Sequence, residues 1–134
     1  MVYKLDSPFL EAIGAKLVEW RDGYVELELA ISPVLLNRTG VVQGGVMCTI
    51  LDAAAGYAGL YAAPGMPALH GVTLSLTTNF LFNGLGETLT CKGFLERKGG
   101  RVFFSRAELW LDQETLVATA VGTFRYQRSP AEGE

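Results

Sequence analysis

Residues 37–61 decide the fold: Asn37-Arg38-Thr39-Gly40-Val41-Val42-Gln43-Gly44-Gly45-Val46-Met47-Cys48-Thr49-Ile50-Leu51-Asp52, continuing through Ala53 to Tyr61. A glycine-punctuated loop runs there into a proline-free apolar segment whose only charge is Asp52. At helical spacing one face carries Gly45, Cys48, Thr49, Asp52, Ala55, Gly56 and Gly59, all small or polar. Val46, Ile50, Ala53, Tyr57 and Leu60 recur at intervals of three and four on the other side, and Met47, Leu51, Ala54 and Ala58 fill the remainder. Little of this helix is made for water, which predicts a central helix wrapped by the rest of the chain. A carboxylate halfway along it is costly unless paired, hydrogen-bonded or open to a cleft.

Working outward, Ser7-Pro8 before Phe9 to Ile13 and Gly14 predicts a short capped helix. The segments 15–21 and 24–30 flank Asp22-Gly23, a strong hairpin signal. Beyond the breaker-rich Ala63-Pro64-Gly65-Met66-Pro67, strands are expected at 71–82, 88–97, 101–111 and 115–126, joined by short turns. The expected plan is α+β: a hairpin, one long helix, and a four-strand meander, forming one antiparallel sheet around the helix. The 134 residues suit a single domain, with 127–134 as a polar, mobile tail.

Hydrophobic residues make up 49% of the chain and charged ones 19%, and the net charge of -3 argues against an electrostatic nucleic-acid binder. Cys48 and Cys91 form neither a disulfide framework nor a metal spacing, and there is one histidine, His70, so no metal is expected. Neither a signal peptide nor a membrane span is supported, and a reducing cytoplasm fits. His70 reads as a surface loop residue and Cys48 as a small core filler. Phe103-Phe104 reads as core on one side and interface or pocket on the other.

The spacing from Asn37 through Gly44-Gly45 to Asp52, with the strand Gly71-Val72-Thr73-Leu74-Ser75-Leu76-Thr77-Thr78-Asn79-Phe80-Leu81, resembles the hotdog-fold acyl-CoA thioesterases, in particular their phenylacetate-degradation (PaaI-like) branch. The resemblance spans nearly the whole chain and implies a hotdog fold acting on an acyl-CoA. It departs from that family's signature at Gln43, where a His is usual, and at Phe82-Asn83, where Arg-Pro often stands. Gln43 cannot carry a proton, so only a hydrogen-bonding role remains there.

Thioester hydrolysis needs donors for the developing oxyanion and a base or nucleophile on the other side of the carbonyl carbon. Gly44 lies where loop becomes helix, so its N–H is the candidate oxyanion donor at the positive end of the helix dipole. Asp52 either activates water or attacks directly, and the sequence leaves both open. Thr73 is placed to orient the water, and the amides of Asn37 and Gln43 to hold the thioester or the carboxylate. Eight helical residues separate Gly44 from Asp52, about 12 Å along the axis, so both cannot meet one carbonyl within a chain. A two-fold dimer with antiparallel helices would bring Gly44 of one subunit to Asp52 of the other. The resemblance implies the same arrangement, with dimers often paired again into tetramers.

Coenzyme A enters as part of the substrate rather than as a cofactor. Its phosphates call for cations, offered by the turn Arg97-Lys98-Gly99-Gly100-Arg101, with Arg38 as another candidate. The acyl pocket is expected beside the helix, near Leu51, Ala55 and Tyr57, for an aryl or medium-chain acyl group. Two other classes compete: a non-catalytic acyl-CoA sensor or binding module, and a hydratase or dehydratase of the same fold. Asp52 in an apolar helix counts against the first, and Gln43 in place of a histidine against the second.

Overall fold

A computed structural model describes residues 5–127. Its order is α1 (Pro8–Ala12), β1 (Ala15–Arg21), β2 (Tyr24–Ala30), a 3-10 turn (Pro33–Leu35), α2 (Gly44–Ala58), β3 (His70–Phe80), β4 (Thr88–Lys98), β5 (Val102–Leu111) and β6 (Thr115–Gln127). Ser7 Oγ accepts from Leu10 N at 3.3 Å and Pro8 opens α1, as the sequence predicts. Asp22-Gly23 turns β1 into β2, with Gly23 at φ 77°. Strand β6 runs through Gln127, the first residue of the expected tail, and the rest of that tail lies outside the described residues.

All six strands form one antiparallel sheet in the order β1-β2-β4-β5-β6-β3. The fold is the expected hotdog plan of α2 against an antiparallel sheet, but the four-strand meander is not what forms. Only β4-β5-β6 meander, and β3 pairs with β6 at the far edge while β2 takes the place beside β4. The connection 81–87 crosses three strand spacings, about 14 Å, well within the reach of seven residues. It is held to the strand ends it passes. Leu81 N and Phe82 N donate to Val117 O at 2.8 and 3.2 Å, and Glu87 N and Thr88 N donate to Asp112 Oδ1, each at 3.0 Å. Asp112 and Gln113 form the β5–β6 turn at φ 49° and 60°, a conformation that suits the short Asp side chain.

The stripe of α2 that meets the sheet is Met47, Ile50, Leu51, Ala54, Ala55 and Ala58. Val46, Ala53, Tyr57 and Leu60 are only half-buried, so within one chain the sheet covers one side of α2 and leaves Thr49, Asp52, Ala53 and Gly56 beyond its cover. Ala55 belongs to the core side, because an alanine is small enough to serve either face. Phe103 is buried and stacks on Phe124 at 5.0 Å, while Phe104 faces outward. The close approach of helix to sheet depends on Gly93 of β4: a Cβ there would run into the Ala54 carbonyl and lie 2.9 Å from Val25 Cγ1. Since backbone cannot give way as a side-chain tip does, Gly93→Ala is expected to destabilise the fold by about 1–3 kcal/mol. Urea denaturation of the variant beside wild type reads this directly.

Candidate active site

The loop entering α2 is built on Asn37. Its Oδ1 accepts from Thr39 N at 2.9 Å, Thr39 Oγ1 at 2.8 Å and Val41 N at 3.2 Å, and its own N–H donates to Val41 O at 2.7 Å. These bonds close an Asx-type turn around Gly40, at φ 85°. Gln43 then caps the helix with its backbone: its O accepts from Val46 N and Met47 N at 3.1 and 3.2 Å. Its side chain is exposed and makes no capping bond. Among the described residues the Gly44 N–H has no hydrogen-bond partner, as the first turn of a helix dictates. A Cβ on Gly44 would touch the Phe80 ring at 3.6 Å, which places the end of β3 against the start of α2.

Two turns further along α2, Thr73 Oγ1 donates to Asp52 Oδ1 at 2.6 Å. Thr73 lies on the helix-facing side of β3, opposite the buried Phe124 of β6. Asp52 is half-buried, and its second oxygen has no partner among the described residues. Beside it opens a cavity of about 210 Å³ lined by Leu10, Ala53, Gly56, Tyr57, Leu60 and Phe124, with Asp52 and Thr73 at its polar side. Of the acyl-pocket residues expected from sequence, Tyr57 lines this cavity, whereas Leu51 and Ala55 are fully buried against the sheet.

The structure thus brings together Asp52 with Thr73, and separately Asn37, Gln43 and Gly44, with about 12 Å of helix between the groups. Lys98 Nζ lies 5.5 Å from the Tyr126 ring, and Arg97 stands beside the outward Phe104. Arg101 shares a depression with Val72 and Arg125. Arg125 was missed in the sequence because its place beside Val72 and Val102 follows only from strand pairing. His70 is the first residue of β3, half-buried, rather than part of the surface loop. Burial pushes the Cys91 thiol up, and its Sγ donates to Ile50 O at 3.5 Å, the behaviour of an inert core thiol. Among the described residues no three His, Cys, Asp or Glu side chains are grouped to hold a metal ion.

The sequence pattern of the thioesterase superfamily matches residues 39–118, well over half of the chain. The chain belongs to that superfamily, and its reaction class is thioester hydrolysis. The medium/long-chain acyl-CoA thioesterase YigI of Escherichia coli K12 is 26% identical over 87% of this chain and 84% of its own. The E. coli PaaI protein, from the phenylacetic acid degradation operon, superposes with a TM-score of 0.80 over 92% of this chain and 87% of its own, and at 20% identity that likeness is one of fold. A Bacillus halodurans protein solved with CoA superposes with a TM-score of 0.80, at 25% identity, over 95% of this chain and 83% of its own.

Because three bonds converge on Asn37 Oδ1, Asn37→Ala is expected to cost about 1–2 kcal/mol of stability. Asn37→Asp keeps the acceptor and should leave the fold within about 0.5 kcal/mol of wild type. Thermal unfolding of the two variants, side by side, separates them.

Proposed function

We propose that this chain is an acyl-CoA thioesterase that hydrolyses aryl- or medium-chain acyl-CoA at sites shared between two subunits. The observation that carries the proposal is the 2.6 Å hydrogen bond from Thr73 to Asp52 at the mouth of the 210 Å³ cavity. Thr73 holds one carboxylate oxygen and leaves the other to act. As a base, Asp52 takes a proton from water while the water oxygen bonds to the thioester carbon. The carbonyl oxygen becomes negative at the Gly44 N–H of the partner chain, and collapse breaks the C–S bond and releases CoA thiolate. As a nucleophile, Asp52 would bond to that carbon itself, giving a mixed anhydride that water opens. Asn37 Nδ2 and the exposed Gln43 amide border the same partner site and are assigned to hold the thioester.

Support for sharing comes from β3. Among the described residues it is an edge strand bonded only to β6, and the apolar run Phe80, Leu81 and Phe82 at its end is at least half exposed. An apolar edge of this kind is a template for pairing with a second copy. Two β3 strands joined antiparallel would set two α2 helices side by side in opposite directions. Gly44 would then approach Asp52 twice per dimer. A homo-oligomer built on that dimer is the assembly we assign. For the CoA phosphates we assign Arg101 together with Arg125, which share one depression, with Arg97 and Lys98 on the same turn; that CoA is the ligand is in keeping with the neighbour solved with CoA. Two free cysteines suit a cytoplasmic setting, and no helix among the described residues is long and apolar enough to cross a membrane.

Thiol release from phenylacetyl-, octanoyl- and palmitoyl-CoA tests the reading. Folded Asp52→Asn should lose at least about a hundredfold in kcat. Gly44→Pro removes the oxyanion N–H at a helix position that tolerates proline. It follows Gln43, whose ψ of 135° is already in the extended range that a residue before proline requires. A loss of about a hundred- to a thousandfold is expected. Refolding the two inactive variants together should restore about a quarter of wild-type activity, since half the dimers are mixed and each carries one intact site. Equal activity of Asp52→Asn and wild type would remove Asp52 from the chemistry, and failure of the mixed dimers to complement would overturn the shared Gly44–Asp52 site.

A further inference from the structure

The cavity beside Asp52 is not the only hollow along α2. A second one, of about 570 Å³, opens at the C-terminal end of the helix under the 60–70 segment, lined in part by Asp6, Trp20, Met66, Leu69 and His70. The two hollows share Tyr57, Leu60 and Gly71, which therefore stand between them. Following the helix from Asp52 toward its C-terminus, the cavity wall reads Ala53, Gly56, then Tyr57. Tyr57 is the first bulky helix side chain that an acyl group leaving the carboxylate would meet.

That side chain is held at two points, its hydroxyl and its ring, and its backbone fixes the Trp20 indole it packs on. Its hydroxyl donates to Asp6 Oδ1 at 2.9 Å, its ring meets Trp20 edge-on at 5.2 Å, and its backbone O accepts from Trp20 Nε1 at 2.9 Å. Burial and then the Asp6 hydrogen bond push the phenol up, so it remains a donor. The latch itself is cheap to open. Asp6 is exposed, and a single hydrogen bond of this sort is worth about 0.5–1.5 kcal/mol, a factor of about two to twelve in population.

Size gives the division its meaning. Pockets for drug-sized ligands run to about 300–1,000 Å³, so a hollow of 210 Å³ suits a small acyl or aryl group, and the 570 Å³ beyond it suits a long one. We propose that Tyr57, latched by Asp6, is the gate that sets acyl length, and that the cavity under residues 60–70 is the room a long acyl chain enters when the gate opens. This rests on the thioesterase reading and adds to it a specificity-determining residue and a second acyl subsite. Tyr57 acts on the choice of substrate and takes no part in bond breaking.

The test compares butanoyl-, phenylacetyl-, decanoyl- and palmitoyl-CoA by thiol release with wild type, Tyr57→Ala, Tyr57→Phe and Asp6→Ala. In Tyr57→Ala the ratio of kcat/KM for palmitoyl- to butanoyl-CoA should rise about tenfold or more, chiefly through a lower KM for the long substrate. Tyr57→Phe and Asp6→Ala, which keep the ring and lose the latch, should move it the same way by about threefold. Asp6→Ala changes an exposed side chain and serves where Tyr57→Ala fails to fold. An unchanged ratio in folded variants that still release thiol overturns the gate and leaves the thioesterase reading standing. A second readout does not need hydrolysis. Palmitate added to Asp52→Asn should change Trp20 fluorescence, with Trp110→Phe as background, whereas butanoate should not. A palmitate response in a protein whose wild type releases no thiol would uphold the subsite and sink the hydrolase reading. Silence of Trp20 to palmitate in both Asp52→Asn and its Tyr57→Ala double variant overturns the subsite.

Discussion

A charged side chain in the middle of an apolar helix must be answered by a hydrogen bond from somewhere else in the chain, and here the answer is Thr73. A hydroxyl bonding to a carboxylate is stronger than a neutral pair, so this contact ties β3 to α2 as well as supporting Asp52. It also fixes direction. Thr73 lies at Asp52, Thr78 Oγ1 lies 3.8 Å from Cys48 Sγ, and Phe80 lies at Gly44, so β3 runs back along the helix from its C-terminal to its N-terminal end. The ten residues from Leu60 to Leu69 make that reversal and roof the space at the end of α2. With the sheet-facing stripe of α2 already covered by β2, β4, β5 and β6, β3 is left to flank the helix beside β6. The strand that carries Thr73 is therefore an edge, and the Asp52 carboxylate lies at the rim of the chain rather than at its centre.

The helix, the Asp22-Gly23 hairpin and most strand positions were legible because they depend on local chemistry: capping, periodicity and turn residues. Strand order was not. Asn83-Gly84-Leu85-Gly86 says that the chain turns, yet it carries no information about which strand the next one will pair with. The pairing of β2 with β4 is set by Val25, Leu27 and Leu29 joining Leu89 and Cys91 under the helix, a contact between residues sixty or more positions apart. Helix faces were only partly legible. Ala55 and Gly56 are neighbours of similar size, and the sheet takes one while the cavity takes the other. The roles of the loop residues divide in the same way. Asn37 is recognisable as a turn former from its type alone, while the three bonds that converge on its Oδ1 follow from the path of residues 38–41. Arg125 and the Tyr57–Asp6 pair left no signal, since each depends on residues brought together from distant parts of the chain.

The absence of a histidine from the signature position can be weighed against the chemistry proposed. A leaving alcohol or amine needs a proton as it departs, because the free anion is a poor leaving group. A thiol, with an ordinary pKa near about 8.5, leaves as a thiolate without that help. Gln43 cannot donate a proton in an acid–base step and, for a thioester, has no need to. Hydration of an acyl-chain double bond would instead require a proton delivered to carbon as water adds, a second acid–base task with no second titrating group among Asn37, Gln43, Thr73 and Asp52. In the proposed base route, Asp52 would pass the water's proton on to the thiolate, and the product acid would lose its own to solvent. That leaves two carboxylates side by side in a small cavity, where like charges repel. In the proposed route Asp52 would therefore also work against the product staying, so that one residue would serve both the bond-breaking step and the clearing of the site.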